Sequence, residues 1–252
     1  MCRLFLNTGR IASKKTLEEY IGSCSDYIGG AKLDVHERNE TKLEQHKDGY
    51  GYAYVKKDHF EIRRYREPIF QRNPVDEIRK IETDVLFVHA RKASPNIEVN
   101  IKNNHPFYWY NGDEYVFGHN GTIKSQIKNF DDRKFFLKGS TDSEKYFYAL
   151  LTEMGENEWK VDKQILSKIL EYWDYTAANF ILASPKKAWI GVFYRKDPLY
   201  FTMKLYKNED SIIVSSSALP SLGFPTERLR NGDIVEIDIE SNNYYYLSEY
   251  RV

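Results

Sequence analysis

The chain has 252 residues, of which 41% are hydrophobic and 29% are charged. This supply of apolar side chains is enough for a folded core without a disulfide framework or a structural metal, and it excludes a disordered chain. The 37 basic residues equal the 37 acidic ones, so no net charge favours nucleic acid or an anionic membrane as a partner.

The cysteine count and the hydropathy pattern bear on the compartment. The chain has two cysteines, Cys2 and Cys24, and so few favour a reducing environment. No uninterrupted apolar run approaches the roughly 18 residues that a membrane span needs. No Pro/Gly/Ser-rich linker or internal repeat divides the sequence. We therefore expect a soluble, cytoplasmic protein with residues 2–252 in a single domain.

Hydrophobic periodicity predicts the elements in the first half of the chain. Apolar residues recur at helical spacing from Leu17 to Ile28, and Gly29-Gly30 ends the pattern. Tyrosines alternate with small residues from Tyr50 to Val55, which predicts a strand whose small face, including Gly51, admits close approach of another backbone. Further strands are predicted at Arg3–Leu6, Val85–Val88 and Tyr115–Phe117.

The second half is predicted to hold two helices followed by short strands. Thr141-Asp142-Ser143-Glu144 has the S/T-x-x-E form of a capping box, so a helix is predicted to begin near Asp142. Helical spacing predicts another from Val161 to Trp173. The β-rich runs that follow are Phe180–Ala183, Ala188–Tyr194, Tyr200–Leu205, Ile212–Val214, Ile234–Ile237 and Tyr244–Leu247. Together these elements predict an α+β fold with extensive sheet.

Cys2 is the first candidate for chemistry. Removal of Met1 would leave a thiol and a free α-amine on one residue. An amine with an ordinary pKa of ~7.7–8.0 can relay the proton of a thiol whose ordinary pKa is ~8.5. The alternative is a small hydrophobic residue at the start of a strand.

Other polar residues stand at the ends of predicted elements. Asn120-Gly121 follows a predicted strand and suits a turn with positive φ, but its side-chain amide and backbone N–H also suit an oxyanion hole. Arg91 follows a buried strand and can capture a carboxylate through two hydrogen bonds, or extend to solvent. Asp142 can receive a substrate ammonium, or serve the first turn of a helix, where an acid is favourable.

Three histidines are candidate metal ligands. His89, His105 and His119 lack an i, i+4 pair and a CxxC partner. We therefore expect hydrogen-bonded or supporting histidines, no bound metal and no cofactor.

Several segments, in order along the chain, resemble the class II glutamine amidotransferases, which are N-terminal cysteine enzymes with the Ntn-hydrolase fold. The segments are MCRLF at the start, HKDGYGYAYV at His46–Val55, HARKAS at His89–Ser94, NNHPF at Asn103–Phe107, FGHNGTI at Phe117–Ile123, STDSE at Ser140–Glu144, and later IVSSSAL and RLRNGDIVEID. Their shared order argues against chance. The departures from the family pattern are Tyr50 for Trp, Ser94 for Thr and Asn104 for Thr. The closest likeness is to members that have the glutaminase-like domain alone.

The resemblance implies a four-layer αββα sandwich with two facing antiparallel sheets. It also implies that Cys2 attacks the side-chain amide of glutamine to form a γ-glutamyl thioester. Asn120 and Gly121 would form the oxyanion hole. Arg91 would hold the substrate α-carboxylate and Asp142 its α-ammonium. The residues expected to line or support this site are Ser94, His89, His105 and Gly51.

The predicted function is therefore hydrolysis of glutamine to glutamate and ammonia. The ammonia is either released or passed to a separate ammonia-accepting synthase subunit. One alternative is hydrolysis of another γ-glutamyl amide or peptide, because Arg91 and Asp142 recognise only the glutamyl part. A second is a catalytically silent glutamine-binding subunit. Neither nucleic acid nor a membrane is expected as a partner.

Overall fold

The strands of this protein form two sheets, seen in a computed structural model that describes residues 2–25, 45–94 and 97–247. The strands are β1 (Arg3–Gly9), β2 (Tyr50–Lys56), β3 (His59–Tyr65), β4 (Val85–Ala90), β5 (Phe107–Tyr110), β6 (Glu114–Ile123), β7 (Tyr175–Ala183), β8 (Lys187–Gly191), β9 (Met203–Lys207), β10 (Ser211–Ser215), β11 (Glu227–Leu229), β12 (Ile234–Asp238) and β13 (Asn243–Tyr246). The helices are α1 (Lys14–Cys24), α2 (Ile69–Arg72), α3 (Val75–Ile78), α4 (Asp142–Glu156), α5 (Lys163–Leu170) and α6 (Pro198–Phe201), with single 3₁₀ turns at Ile101–Asn103 and Pro220–Leu222.

Both sheets are antiparallel throughout the described ranges. One has the strand order β11-β9-β10-β1-β4-β2-β3, and the other has the order β13-β12-β8-β7-β6-β5. β1 therefore lies in the middle of the first sheet, between β10 and β4. The residue that precedes β1 therefore adjoins a strand that is paired on both sides.

The hydrophobic core shows how the layers stack. Inner-face side chains such as Leu4 on β1, Phe87 on β4 and Ile181 on β7 pack in one cluster between the sheets. The outer face of the first sheet packs on α1, α2 and α3, and that of the second packs on α4 and α5. The expected α+β, four-layer αββα sandwich is confirmed.

Two elements differ from their predictions. Asn120 and Gly121 lie inside β6, paired with Asn179 and Ala178 of β7, so the turn, one of the two alternatives for this pair, is wrong. The predicted strand Tyr200–Leu205 begins too early, because Tyr200 belongs to the short helix α6, where Asp197 takes a left-handed φ of 48° and Pro198 opens a helical turn.

Other predictions agree with the structure more closely. Thr141 caps α4 by accepting a hydrogen bond from the Glu144 backbone N–H at 3.2 Å, as the capping box predicts. A Cβ on Gly51 would overlap the carbonyl oxygen of His105, so the expected close backbone approach is present. α1 ends at Cys24, while Ile28 and Gly29-Gly30 lie outside the described residues. Within the described ranges, every helix is too short or too polar to cross a membrane.

Candidate active site

Cys2 lies where the two sheets meet. Its backbone nitrogen donates to Asn120 Oδ1 on β6 at 2.8 Å, and its Sγ lies 3.7 Å from the carbonyl oxygen of Lys92. The residue is 8% exposed. Burial raises the pKa of the Cys2 thiol, Arg91 acts in the opposite direction, and Asp142 adds to the rise. Arg91 and Asp142 are thus close enough to act on the thiol electrostatically.

Ser216 fixes the backbone just after Cys2. The Leu4 N–H donates to Ser216 Oγ at 2.9 Å, and the Ser216 N–H donates to the Leu4 carbonyl at 3.0 Å. The buried Arg3 guanidinium donates to the Ser216 carbonyl at 3.2 Å. These bonds continue the β1–β10 pairing to the first residues of β1, and they limit how far the adjoining Cys2 can shift.

Asn120 offers a hydrogen-bond donor beside the thiol. The residue is fully buried, and its Oδ1 accepts from Cys2. Its Nδ2 has no hydrogen-bond partner among the described residues. A buried donor left without a partner costs about 1–3 kcal/mol, which a bound oxygen would recover. A Cβ on neighbouring Gly121 would overlap the Ala177 carbonyl, so glycine is needed at that position.

Arg91 follows β4 and is already held by the loop beyond it. Its guanidinium donates to the Glu98 carbonyl at 3.3 Å and to Asn104 Oδ1 at 3.5 Å, and the residue is 3% exposed. Burial lowers the pKa of Arg91, while Cys2, Asp48 and Asp142 act in the opposite direction. A fixed guanidinium with further N–H groups is suited to binding a carboxylate.

Asp142 and Ser94 flank the carboxyl end of β6. Asp142 Oδ2 accepts the Ile123 N–H at 2.7 Å, and its Oδ1 accepts the Ser143 N–H at 2.9 Å. Ser94 Oγ lies 3.3 Å from the hydroxyl oxygen of Thr122. Asp142 therefore joins β6 to α4, as its helix-terminus interpretation predicts, and its carboxylate still lies near the thiol.

Three buried histidines, His89, His105 and His119, form a connected group at β6. The rings of His89 and His105 stack with centroids 4.0 Å apart, and His89 Nε2 donates to the His119 carbonyl at 3.2 Å. His119 Nδ1 lies 2.9 Å from Ser143 Oγ. Burial lowers the pKa of His89 to about 3 and that of His105 well below its ordinary value, so both rings are neutral. In the ranges that the structure describes, no three His, Cys, Asp or Glu side chains are grouped to hold a metal ion.

Three further residues contact this site, and of these only Asn104 is named among the sequence predictions of the site, as a departure from the family pattern. Asp48 accepts the Ala93 N–H at 2.8 Å. Asn104 donates to the Tyr65 carbonyl at 2.7 Å besides contacting Arg91. The Tyr200 hydroxyl donates to the Cys2 carbonyl at 3.3 Å. Asp48 and Asn104 lie in the HKDGYG and NNHPF segments, which offered a signal, whereas Tyr200 lies in no such motif.

Comparisons with known proteins bear on the family of this chain and on its fold. The family model described as class II glutamine amidotransferases matches residues 29–195, more than half of the chain. An uncharacterised protein of Methanocaldococcus jannaschii is 29% identical over 158 residues, which cover 61% of this chain and 43% of the relative. A Haemophilus influenzae protein provisionally named a glutamine amidotransferase is 36% identical over 107 residues, 40% of this chain and 35% of the relative. The chain thus matches less than half the length of either relative.

Solved structures share the fold. The glutamine phosphoribosylpyrophosphate amidotransferase of B. subtilis, solved with ADP and GMP, has a TM-score of 0.64 at 14% identity, over 99% of this chain and 50% of that one. A class II glutamine aminotransferase domain protein of Silicibacter pomeroyi has a TM-score of 0.58 at 15% identity, over 98% of this chain and 100% of that one. At such identities the likeness concerns the fold alone.

Proposed function

The chain belongs to the class II glutamine amidotransferases, and we propose that it hydrolyses the side-chain amide of glutamine to glutamate and ammonia. The observation that carries the proposal is the contact between Cys2 N and Asn120 Oδ1 at 2.8 Å, with the buried Asn120 Nδ2 beside it and without a partner among the described residues. This contact supports the proposal because, once Met1 is removed, it would bring together a nucleophile, a base on the same residue and an oxyanion donor.

The first half of the proposed reaction forms a thioester. Removal of Met1 frees the α-amine of Cys2, which accepts the thiol proton as Sγ attacks the amide carbon of glutamine. The carbonyl electrons move to oxygen, where Asn120 Nδ2 and the Gly121 N–H donate hydrogen bonds. When the tetrahedral intermediate collapses, the C–N bond breaks, and the leaving amide nitrogen takes the proton from the α-ammonium of Cys2. Ammonia leaves and the γ-glutamyl thioester remains.

The second half returns the enzyme. A water molecule gives a proton to the Cys2 amine and attacks the thioester carbon. The same two donors hold the oxyanion, the C–S bond breaks, and sulfur recovers the proton from the amine. Glutamate is released. Cys2 must remain a free thiol, a state that a cytoplasmic location would maintain.

Substrate recognition is proposed to rest on opposite charges at two ends of a small site. The buried Arg91 guanidinium would bind the α-carboxylate through paired hydrogen bonds, and Asp142 would bind the α-ammonium. Ser94, beside Thr122, would line the pocket. The ammonia would be released or passed to a separate acceptor protein.

The test combines intact-protein mass spectrometry with a glutamate-release assay. The wild type should lack Met1 and gain one adduct from a diazo-ketone analogue of glutamine. Cys2→Ala should gain none and lose turnover. Cys24→Ala, the matched control at the other buried cysteine, should behave as wild type. A retained Met1 with no adduct would contradict the proposal and favour a silent binding subunit. Faster turnover of γ-glutamyl peptides than of glutamine would reassign the substrate.

A further inference from the structure

A tyrosine outside the recognised motifs contacts the nucleophile's own backbone. The Tyr200 hydroxyl donates to the Cys2 carbonyl oxygen at 3.3 Å, and His46 Nε2 lies 3.2 Å from the same hydroxyl oxygen. His46 is 1% exposed, and its Nδ1 lies 3.1 Å from the Cys24 carbonyl. Since that carbonyl only accepts, Nδ1 carries the proton of the neutral ring and Nε2 is an acceptor. The single phenol proton is therefore shared between two acceptors, Nε2 at 3.2 Å and the Cys2 carbonyl at 3.3 Å. The phenol is thus bracketed by His46 and Cys2.

The helix that carries Tyr200 is fixed from the second sheet. Asn179 is fully buried, donates to the Phe201 carbonyl at 2.7 Å and accepts the Phe193 N–H at 2.8 Å. Asn179 is also the β7 residue that pairs with Asn120. The β6–β7 register therefore positions both Asn120, the proposed oxyanion donor, and Asn179, which holds α6.

Cys2 needs such a contact because of its place in the chain. Once Met1 is removed, a single peptide bond holds the residue, and rotation about its Cα–C bond swings the amine and the thiol together. The hydrogen bond that the Cys2 nitrogen donates to Asn120 restrains the nitrogen, and the bond from Tyr200 restrains the carbonyl. The Arg3 guanidinium lies 4.9 Å from the Tyr200 ring centre and adds a contact on its face.

We propose that Tyr200 is a positioning residue that, bracketed by His46, holds the Cys2 backbone so that thiol and amine keep the geometry for attack. The inference rests on the proposed function. Tyr200 exchanges no proton with substrate and forms no bond to it. Its loss should therefore reduce the rate of the chemical step and leave glutamine binding unchanged.

The test is Tyr200→Phe, which keeps the ring and its contacts and removes only the hydroxyl. We expect kcat to fall about tenfold, as a small misplacement of reacting groups does, with KM for glutamine within about twofold. Tyr194→Phe is the matched control, because its ring stacks on Phe201 of the same helix at 6.3 Å, and it should behave as wild type. An unchanged kcat for Tyr200→Phe, a parallel rise in KM, or an equal loss in Tyr194→Phe would overturn the proposal.

A second readout separates this proposal from the proposed function. Alkylation of Cys2 by iodoacetamide needs no glutamine, and after mass spectrometry has verified Met1 removal, its rate across pH should be lower in Tyr200→Phe. A wild type that releases no glutamate would refute the glutaminase proposal alone. An unaltered alkylation profile would refute the role of Tyr200. His46→Gln, which removes the bracketing ring, should give a smaller fall in kcat with KM unchanged, and a shift in KM alone would count against the proposal.

Discussion

The Arg91 side chain is held in position by the protein's own hydrogen bonds. Its guanidinium is bound to the Glu98 carbonyl and to Asn104, and only 3% of the residue is exposed. The conformational entropy of this long side chain is therefore lost during folding, and substrate binding does not have to order it. A charge held in this way recognises a carboxylate by direction as well as by sign.

Replacing Arg91 by lysine tests that recognition. A point charge replaces a planar fork, so KM for glutamine should rise about tenfold or more while kcat changes less. Steady-state kinetics would measure both. The control is Arg64→Lys. Arg64 lies on β3, its guanidinium donates to the Pro106 carbonyl at 2.6 Å, and it has no proposed role in substrate binding. A normal KM in Arg91→Lys would remove this residue from the substrate pocket.

His105 links the site to acid stability. Neither ring nitrogen has a hydrogen-bond partner among the described residues, and the charged or titratable groups that act on it are His89, His119, Arg91 and Arg64. Burial lowers the pKa of His105 in the folded state, whereas the unfolded chain has the ordinary value of ~6.5. Below that pH the unfolded state binds more protons, so the free energy of unfolding falls as pH falls.

We predict that His105→Phe makes this acid slope shallower. Each such buried histidine contributes about 1 kcal/mol per pH unit below ~6.5, and phenylalanine keeps the ring contacts with His89 and Phe107 without titrating. Urea unfolding measured between pH 7 and pH 4.5 checks the prediction. His59→Phe is the control, because the His59 side chain is 74% exposed. Equal slopes in the wild type and His105→Phe would contradict the assignment.

At the scale of elements, the loop after β4 depends on Asp48. The Asp48 backbone N–H donates to the Arg91 carbonyl at 3.1 Å, and its carboxylate accepts the Ala93 N–H at 2.8 Å. The loop carries Arg91 and also the Lys92 carbonyl that lies against the thiol. Asp48 is thus positioned to set the geometry of two functional groups through one segment.

Two substitutions at Asp48 separate its hydrogen bond from its charge. Asp48→Ala removes the acceptor for Ala93, so KM for glutamine should rise several-fold and adduct formation by the diazo-ketone should slow. Asp48→Asn keeps a carbonyl acceptor and should remain near the wild type. Glutamate-release kinetics and adduct mass would measure these effects. Equal damage in both variants would assign the effect to the charge facing Arg91 instead.

The sequence predicted these elements unevenly, for physical reasons. β1, β2 and β4 have buried faces, so their hydrophobic patterns are clear. β3 lies at a sheet edge with charged side chains, and it escaped prediction. Asn120-Gly121 is more typical of a turn than of a strand, and pairing with β7 overrides that local preference.

Prediction of the candidate site from the sequence has the same limit. Cys2, Arg91 and Asp142 could be proposed from the sequence because each adjoins an element end or a motif that local sequence displays. Tyr200 contacts Cys2, and His46 contacts Tyr200, through hydrogen bonds between distant parts of the chain. No local pattern encodes such contacts, so the fold was needed to find them.

At the scale of the whole molecule, the two sheets approach closely behind the site. A Cβ on Gly118 of β6 would overlap the Phe87 ring of β4 in the opposite sheet. Phe87 is fully buried in the core between the sheets and has no room to move aside. The spacing that lets Asn120 reach Cys2 from the other sheet therefore depends on a missing side chain two residues earlier.

We expect Gly118→Ala to lower the free energy of unfolding by about 1–3 kcal/mol, because an extra methyl group overpacks a filled core. Gly155→Ala is the matched comparison. Gly155 lies in α4 and is exposed, and its added Cβ would meet the Trp159 ring at an ordinary 3.6 Å. That variant should gain about 0.4–1 kcal/mol, since alanine restricts the unfolded chain and favours helix. Urea unfolding of the two variants gives both values, and the opposite signs matter most. If Gly118→Ala were as stable as the wild type, the sheets would be free to separate, and the contact between Cys2 and Asn120 would not depend on this packing.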